Sequence, residues 1–249
     1  MANSINEVIH ELDEIIAWSK LHQSRIGYFS VLYRRMTIAV QQGIANGAFE
    51  DGKRMEELDV TFANRYFEAW RAFSKKQPCS NAWCKVFAAC DTDSQVVLQH
   101  LLLGINTHIN LDLAIAASAT APGEKIHALK NDFEKINEVI ASLTQTTQDS
   151  LVKIWFPLKI LLMISNKRQD KILDFSISNA RKISWANAVT LATLQGVKGH
   201  DDYILTIDKA VVVVSERIMK PGFISRLLLK WVLQMESKNI SQSIDALNE

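Results

Sequence analysis

The stretch Ser94–Ala119, SQVVLQHLLLGINTHINLDLAIAASA, decides the fold of this chain. Asp93 and Ser94 offer a helix start, and about 25 residues of unbroken helical pattern follow before Pro122. Apolar side chains cover nearly the whole circumference of this helix, which is typical of a helix that is buried on all sides. These residues are Val97, Leu101, Leu102, Leu103, Ile105, Ile109, Leu113 and Ile115. The sequence therefore predicts one long buried helix.

Five polar residues interrupt this apolar surface: His100, Asn106, His108, Asn110 and Asp112. Each costs about 1–3 kcal/mol if it is buried without a partner. His108 and Asp112 are four residues apart and lie on one face of the helix. Asn106 and Asn110 repeat that spacing about 200° away, and His100 lies about 12 Å before His108, too far to share an ion with it. The pattern fits either a polar network that fixes the core or a functional site.

Two further predicted helices carry acids or amides on their apolar faces. Asp59 lies on a helix that Asp51 can cap, and Asp132 and Asn137 lie on the helix after Pro122. We expect these side chains to converge with His108 and Asp112 on a single interior pocket. For Asp59 a local ion pair is the alternative, because Asn64, Arg65 and Tyr66 follow on the same helix. Arg181, at the border of a later apolar stripe, is predicted to be a counter-charge for the buried acids.

The rest of the chain also has helical periodicity. Ser4 and Glu7 form a capping box for the first helix, and Asn46-Gly47 ends the second. A short helix is expected at 81–90, one kinked by Pro157 follows 149, a long one ends near Gly196, and the pattern at 204–218 favours helix over strand. We therefore predict an all-α fold, one domain over residues 1–249, with about eight or nine helices around the central one at about 94–119.

Composition limits the partners and the compartment. The formal charge of +1, with 22 % charged residues, does not indicate binding to nucleic acid or to an anionic membrane surface. Cys79, Cys84 and Cys90 lack metal-site spacing and are predicted to be small core residues in a reducing compartment. No secretory signal is visible, and the apolar run 151–164 is shorter than the ~20 residues of a membrane span. We expect a soluble, cytoplasmic protein.

Four segments, in this order and spacing, resemble a helical family of bacterial and fungal proteins known only as a domain of unknown function. They are GYFSVLYRRMT, FEDGKRMEELDVTFANRYFEAW, LLLGINTHINLDLAIA and NDFEKIN. The resemblance reaches from about Arg25 to Trp185, and the motif around His108 and Asp112 is its most distinctive part. It implies a single all-helical domain and no particular activity. Its recurrent polar positions are Arg25, Asp59, Asn64, Arg65, Asn106, His108, Asn110, Asp112, Asp132 and Asn137.

Two functional hypotheses follow. In the first, the chain is an enzyme in which His108 and Asp112, with Asp59 or Asp132, act on a small molecule by acid–base catalysis or around a divalent metal bound by His108 and Asp112. Other residues would contact the ligand: Arg25, Asn64, Arg65, Tyr66, His100, Asn106, Asn110, Asn137 and Arg181. In the second, the polar residues are a structural network in a non-catalytic module that binds a small molecule or a protein. The C-terminal helices could in either case join two copies of the chain.

Overall fold

The computed structural model describes residues 1–138 and 177–248, and within these ranges it contains ten α-helices and no strand. The all-α prediction is confirmed. The helices are α1 Ile5–Leu21, α2 Ile26–Ala45, α3 Gly52–Ser74, α4 Asn81–Cys90, α5 Val97–Thr120, α6 from 130 to at least 138, α7 Ile177–Leu194, α8 His200–Met219, α9 Phe223–Met235 and α10 Ile240–Asn248. A 3-10 turn, Gly123–Leu129, precedes α6. The expected helix with Pro157 lies outside the described residues.

Helix α5 is the central element, as predicted. It packs against α2, α3, α4, α7 and α8, and by length and composition alone it is apolar enough to cross a membrane, although most of it is buried against its neighbours. The helix begins at Val97, three residues later than expected. Asp93 pairs with Arg25 and does not cap the helix. The first turn is held by Gln99, which accepts from the Val96 amide, and by Glu236, which accepts from the Val97 amide.

One turn of α5 is not α-helical. Residues His108–Asp112 form a π-helical turn, in which the Leu113 amide donates to the carbonyl of His108. Turns of this kind are rare inside α-helices and are frequently found at functional sites. The sequence did not predict this turn. Its first and last residues are His108 and Asp112, the two residues that were proposed as a pair.

Several local predictions are confirmed. Ser4 accepts from the Glu7 amide at the start of α1, and Asp51 accepts from the Arg54 amide at the start of α3. Helix α2 ends at Ala45, and Gly47 then adopts the left-handed conformation. Residues 200–219 are helical, so the longer periodicity outweighed the β-branched run inside them.

The prediction for two of the cysteines was wrong. Cys79 and Cys84 form a disulfide, with their Cα atoms 6.0 Å apart. Their separation of five residues places Cys79 just before α4 and Cys84 in its first turn, which is within the reach of a disulfide. Cys90 is free and buried, as expected.

Gly104→Ala is expected to lower the free energy of unfolding by about 1–3 kcal/mol, as overpacking of a core does. A Cβ atom at Gly104 would lie 2.4 Å from the ring of Phe29, which packs directly on the backbone of α5. Without that contact, alanine in a helix would be more stable than glycine. The measurement is chemical denaturation. Gly222→Ala is the control, because its Cβ would have no neighbour within 4 Å; an equal effect at both sites would contradict the prediction.

Candidate functional site

His108 and Asp112 form a buried pair on α5. His108 Nδ1 donates to Asp112 Oδ2 at 3.0 Å, and the two side chains are 3 % and 1 % exposed. The predicted pairing is confirmed. Burial lowers the pKa of His108 below its usual 6.5, against the opposing effect of Asp112, so the imidazole is neutral at pH 7.

Neighbouring helices supply two further partners for Asp112. Trp83, on α4, donates from Nε1 to Asp112 Oδ2 at 2.7 Å. Arg65, on α3, places its Nε 3.6 Å from Asp112 Oδ1 as an ion pair. The carboxylate is thus held by groups from three helices. A local ion pair with Asp59 was one of the two alternatives for that acid, but Arg65 pairs with Asp112 instead.

Aromatic rings surround the imidazole of His108. The Phe62 ring stacks on it with 3.6 Å between centroids and an angle of 9°, and the Tyr33 ring meets it edge-on at 4.5 Å. Phe29, Tyr66 and Trp83 lie within about 6 Å of the same ring. We call these five residues, Phe29, Tyr33, Phe62, Tyr66 and Trp83, the aromatic chamber. Phe62 alone among them is only partly buried, so it forms the outer wall.

Several buried polar atoms at this chamber have no hydrogen-bond partner among the described residues. They include His108 Nε2, the hydroxyl of Tyr33 and Asp59 Oδ2, and also Asp112 Oδ1 and Arg65 Nε, which face each other as an ion pair. Burial raises the pKa of Tyr33 well above its usual value, and the charges of Asp59 and Asp112 raise it further. Tyr33 therefore lies near both acids. Burial, and secondly the charge of Glu56, raise the pKa of Asp59 to about 7. Asp59 and Asp112 thus have a common neighbour in Tyr33, whose ring contacts that of His108.

Asp132 was also expected at this site, and that prediction was wrong. Its carboxylate accepts from the amides of Glu50 and Asp51 and from Arg54 Nη2, the last at 2.7 Å. These bonds fasten the loop before α3 to α6. Asp132 is 1 % exposed. Its position on an apolar face therefore correctly indicated a buried, hydrogen-bonded carboxylate, but it did not indicate a pocket shared with His108.

Arg181 and Asn137 form a third, separate cluster. Arg181 Nε donates to Asn137 Oδ1 at 2.8 Å, and the guanidinium lies over the Phe133 ring at 4.4 Å. Burial lowers the pKa of Arg181 to about 10. Within residues 1–138 and 177–248 Arg181 pairs with none of the buried acids that it was predicted to neutralise; the counter-charges are Arg65 for Asp112 and Arg54 for Asp132.

The asparagine pair lies on another side of α5. Asn110 Nδ2 donates to Asn106 Oδ1, and Asn106 Nδ2 donates to the carbonyl of Val211 and to Ser215. Both asparagines line a groove of about 440 Å³ between α5, α7 and α8. The two polar stripes predicted from the sequence therefore face different surroundings, with His108 in the aromatic chamber and the amides at the groove.

The remaining predicted ligand contacts have other partners. Asn64 donates to and accepts from the backbone of Ala2, and Tyr66 shares a hydrogen bond with Ser30. His100 Nδ1 lies 3.8 Å from the Cys90 sulfur, and burial lowers the pKa of His100 to about 3. Arg25 donates to the Cys90 carbonyl. Within residues 1–138 and 177–248, no group of three His, Cys, Asp or Glu side chains is arranged to hold a metal.

Comparison with known proteins adds a family. The model of a family of unknown function, DUF5995, matches residues 5–221. The chain belongs to this family. No curated protein and no solved structure matches it. The expected resemblance to a helical family of unknown function is thus confirmed, over a longer range than the motifs indicated.

The DUF5995 match includes every residue of the His108 site and ends before α9 and α10. Within it, sequence reasoning did not single out four aromatic members of the site: Phe29, Tyr33, Phe62 and Trp83. For Trp83 a signal existed, because a buried indole N–H needs an acceptor and Asp112 supplies it. Tyr33 and Phe62 carried no such signal, since aromatic residues at helical spacing are the usual content of a core.

Proposed function

We propose that this DUF5995 member is an enzyme that performs acid–base chemistry on a small molecule, with His108 as the general base. The observation that carries the proposal is the free Nε2 of His108, which is buried and has no hydrogen-bond partner among the described residues, while Nδ1 is held by Asp112. An unsatisfied buried polar atom costs about 1–3 kcal/mol. Such a cost is expected where a buried group is kept for a function.

The bond to Asp112 gives His108 the form that a base requires. With the proton on Nδ1 directed at Asp112 Oδ2, the lone pair of Nε2 is available to accept a proton from a substrate. Because burial lowers the pKa of His108, the ring stays uncharged at neutral pH and that lone pair remains free. When His108 takes up a proton, Asp112 stabilises the imidazolium. Trp83 and Arg65 keep Asp112 in place for this role.

Asp59 is the proposed acid. Its pKa of about 7 makes it a proton donor for roughly half of the molecules at neutral pH, where an aspartic acid of ordinary pKa would be fully ionised. Tyr33, near both acids, supplies a hydroxyl that can orient the substrate by a hydrogen bond. A base and an acid whose surroundings move their pKa values in opposite directions are the pattern of enzymes that work near pH 7.

The surroundings also limit the substrate and its route. The aromatic chamber favours a small molecule with a flat or apolar body, because such a body can pack against rings as Phe62 does against His108. Phe62 is partly exposed and Arg65 keeps about a third of its side chain in solvent. We therefore place the entrance on the outer face of α3, where a rotation of the Phe62 ring would uncover His108.

A second candidate function is non-catalytic binding of an uncharged small molecule in the groove beside Asn106 and Asn110. The observation in its favour is the groove itself, whose volume of about 440 Å³ is suited to a small ligand. Its lining includes four asparagines, one tyrosine and one threonine among apolar residues, and no acid or base. This hypothesis predicts ligand binding that does not depend on His108.

His108→Gln is expected to abolish turnover. Gln retains hydrogen bonding but cannot accept a proton near neutral pH, and loss of a general base lowers rates about 10²- to 10⁴-fold. The measurement is mass spectrometry of a mixed small-molecule extract incubated with wild type or variant, scored for masses consumed and formed.

The control is His127→Gln, which makes the same change at an exposed histidine. It should leave the mass changes of the wild type intact. If wild type and His108→Gln produce the same changes, or if the wild type changes no mass while a ligand still binds to both, the enzyme proposal is wrong and the groove hypothesis takes its place.

A further inference from the structure

We infer that α9 is a membrane-surface helix, which places the protein on bilayers that contain anionic lipid. The helix lies beyond the residues that match the family model, so this surface is additional to the His108 site. The inference rests on the two apolar faces of α9 and on the charges at its border. It does not depend on the proposed enzymatic function.

One face of α9 packs on the protein. Leu229 and Val232 are buried and contact Val96, just before the start of α5. At the end of α9 the carboxylate of Glu236 accepts from the amide of Val97. These contacts hold α9 against the start of the central helix.

The opposite face of α9 is apolar and exposed. Phe223 is 74 % exposed, Leu227 55 %, Trp231 43 % and Met235 47 %. These residues are four apart, so they form one continuous stripe along the helix, about 150° from the buried face. Exposed apolar residues are ordinary when they are scattered, but a contiguous stripe with two aromatic rings marks a surface that binds something.

The charges beside this stripe indicate what it binds. Arg217, Lys220, Arg226 and Lys230 lie between residues 217 and 235, a range that contains no acidic residue. The formal charge of this range is thus +4, whereas that of the whole chain is +1, so the average conceals a local basic segment. A helix with Phe, Leu and Trp on one side and Lys or Arg beside them is typical of helices that lie in the lipid headgroup region.

A second copy of the chain fits this surface less well. In a symmetric dimer the same face meets itself, so the basic side chains of Arg226 and Lys230 would approach those of the other copy. An anionic bilayer supplies the opposite charge for these residues and an apolar layer for Phe223 and Trp231. The expectation from net charge, that anionic membranes are not partners, is revised by this proposal for α9 alone.

The test is co-sedimentation of the full chain with vesicles of phosphatidylcholine alone or of phosphatidylcholine and phosphatidylglycerol at 7:3 (about 30 % anionic lipid). We expect binding to the anionic vesicles that weakens with salt, and little binding to neutral ones. Arg226→Gln with Lys230→Gln should weaken it about 25-fold, since each charge near the surface contributes about fivefold. Leu227→Gln with Trp231→Gln should remove it.

Leu205→Gln is the matched control, because Leu205 is 50 % exposed but lies on α8. It should bind vesicles as the wild type does, and circular dichroism should show that all variants stay folded. Equal binding by every variant would overturn the proposal. An absence of vesicle binding by the wild type would also overturn it. If light scattering then detects a dimer that the Leu227 and Trp231 substitutions dissociate, the stripe joins two copies of the chain instead.

Discussion

Asp112→Ala is expected to lower the free energy of unfolding by about 3–5 kcal/mol, the cost of removing one partner from a buried charged pair. The substitution leaves Trp83 Nε1 and His108 Nδ1 without their acceptor and Arg65 without its counter-charge. Each of the first two groups is buried, so water cannot replace the lost bonds without opening the core. The measurement is equilibrium denaturation by urea, followed by fluorescence and circular dichroism.

Asp13→Ala is the control for this prediction. It also removes an aspartate paired with an arginine, Arg34, but this pair lies at the surface, with half of the Asp13 side chain in solvent. Exposed pairs contribute about 0–1 kcal/mol, so the loss should be several times smaller. Similar losses for the two variants would show that Asp112 is not the junction between α3, α4 and α5 that its contacts indicate.

Asp59→Asn is expected to stabilise the protein at high pH and to leave it nearly unchanged at low pH. The pKa of Asp59 is raised from 3.8 to about 7 in the folded state, chiefly by burial. Between these values the folded state holds a proton that the unfolded state has lost, so the wild type loses stability as pH rises from about 4 to about 7. A shift of this size corresponds to about 4 kcal/mol, of which about 2–3 kcal/mol falls between pH 5 and pH 8.

Asparagine cannot ionise, so the variant should lack this loss. The measurement is the difference in unfolding free energy between variant and wild type at pH 5 and at pH 8. Asp91→Asn makes the same change at an exposed position and should stay within about 0.5 kcal/mol at both pH values. If the Asp59→Asn difference does not grow with pH, the carboxyl group is not held in a desolvated position, and its assignment as the acid of the site fails.

These two predictions separate the parts of the site. Asp112 accepts from Trp83 and His108 and pairs with Arg65, so its removal is costly. Asp59 Oδ2 has no partner among the described residues, and burial raises the pKa of Asp59, so its neutralisation is favourable. Functional groups are commonly held at a cost in stability. This difference is expected if Asp112 orients the base His108 and therefore stabilises the fold, while Asp59 is a separate proton donor whose burial destabilises it. A network that only fixed helix register would make both substitutions unfavourable.

The sequence by itself determined the helices and the central pair. A helix satisfies its backbone hydrogen bonds locally, so periodicity, caps such as Ser4 and stops such as Gly47 predict it without knowledge of the fold. The same local geometry placed His108 and Asp112 within one turn, and their bond confirms it. The chemical type of Asp59 on an apolar face was sufficient to predict that it is buried.

Only the tertiary structure decided which helices meet at which polar group. Asp59, Asp132 and Arg181 looked alike in the sequence, as charged residues on apolar faces, but the first is near Tyr33, the second fastens the loop before α3, and the third binds Asn137. A side chain on a helix can face any helix that packs there. Its partner is therefore set by the crossing of distant segments, about which the periodicity of a single helix carries no information.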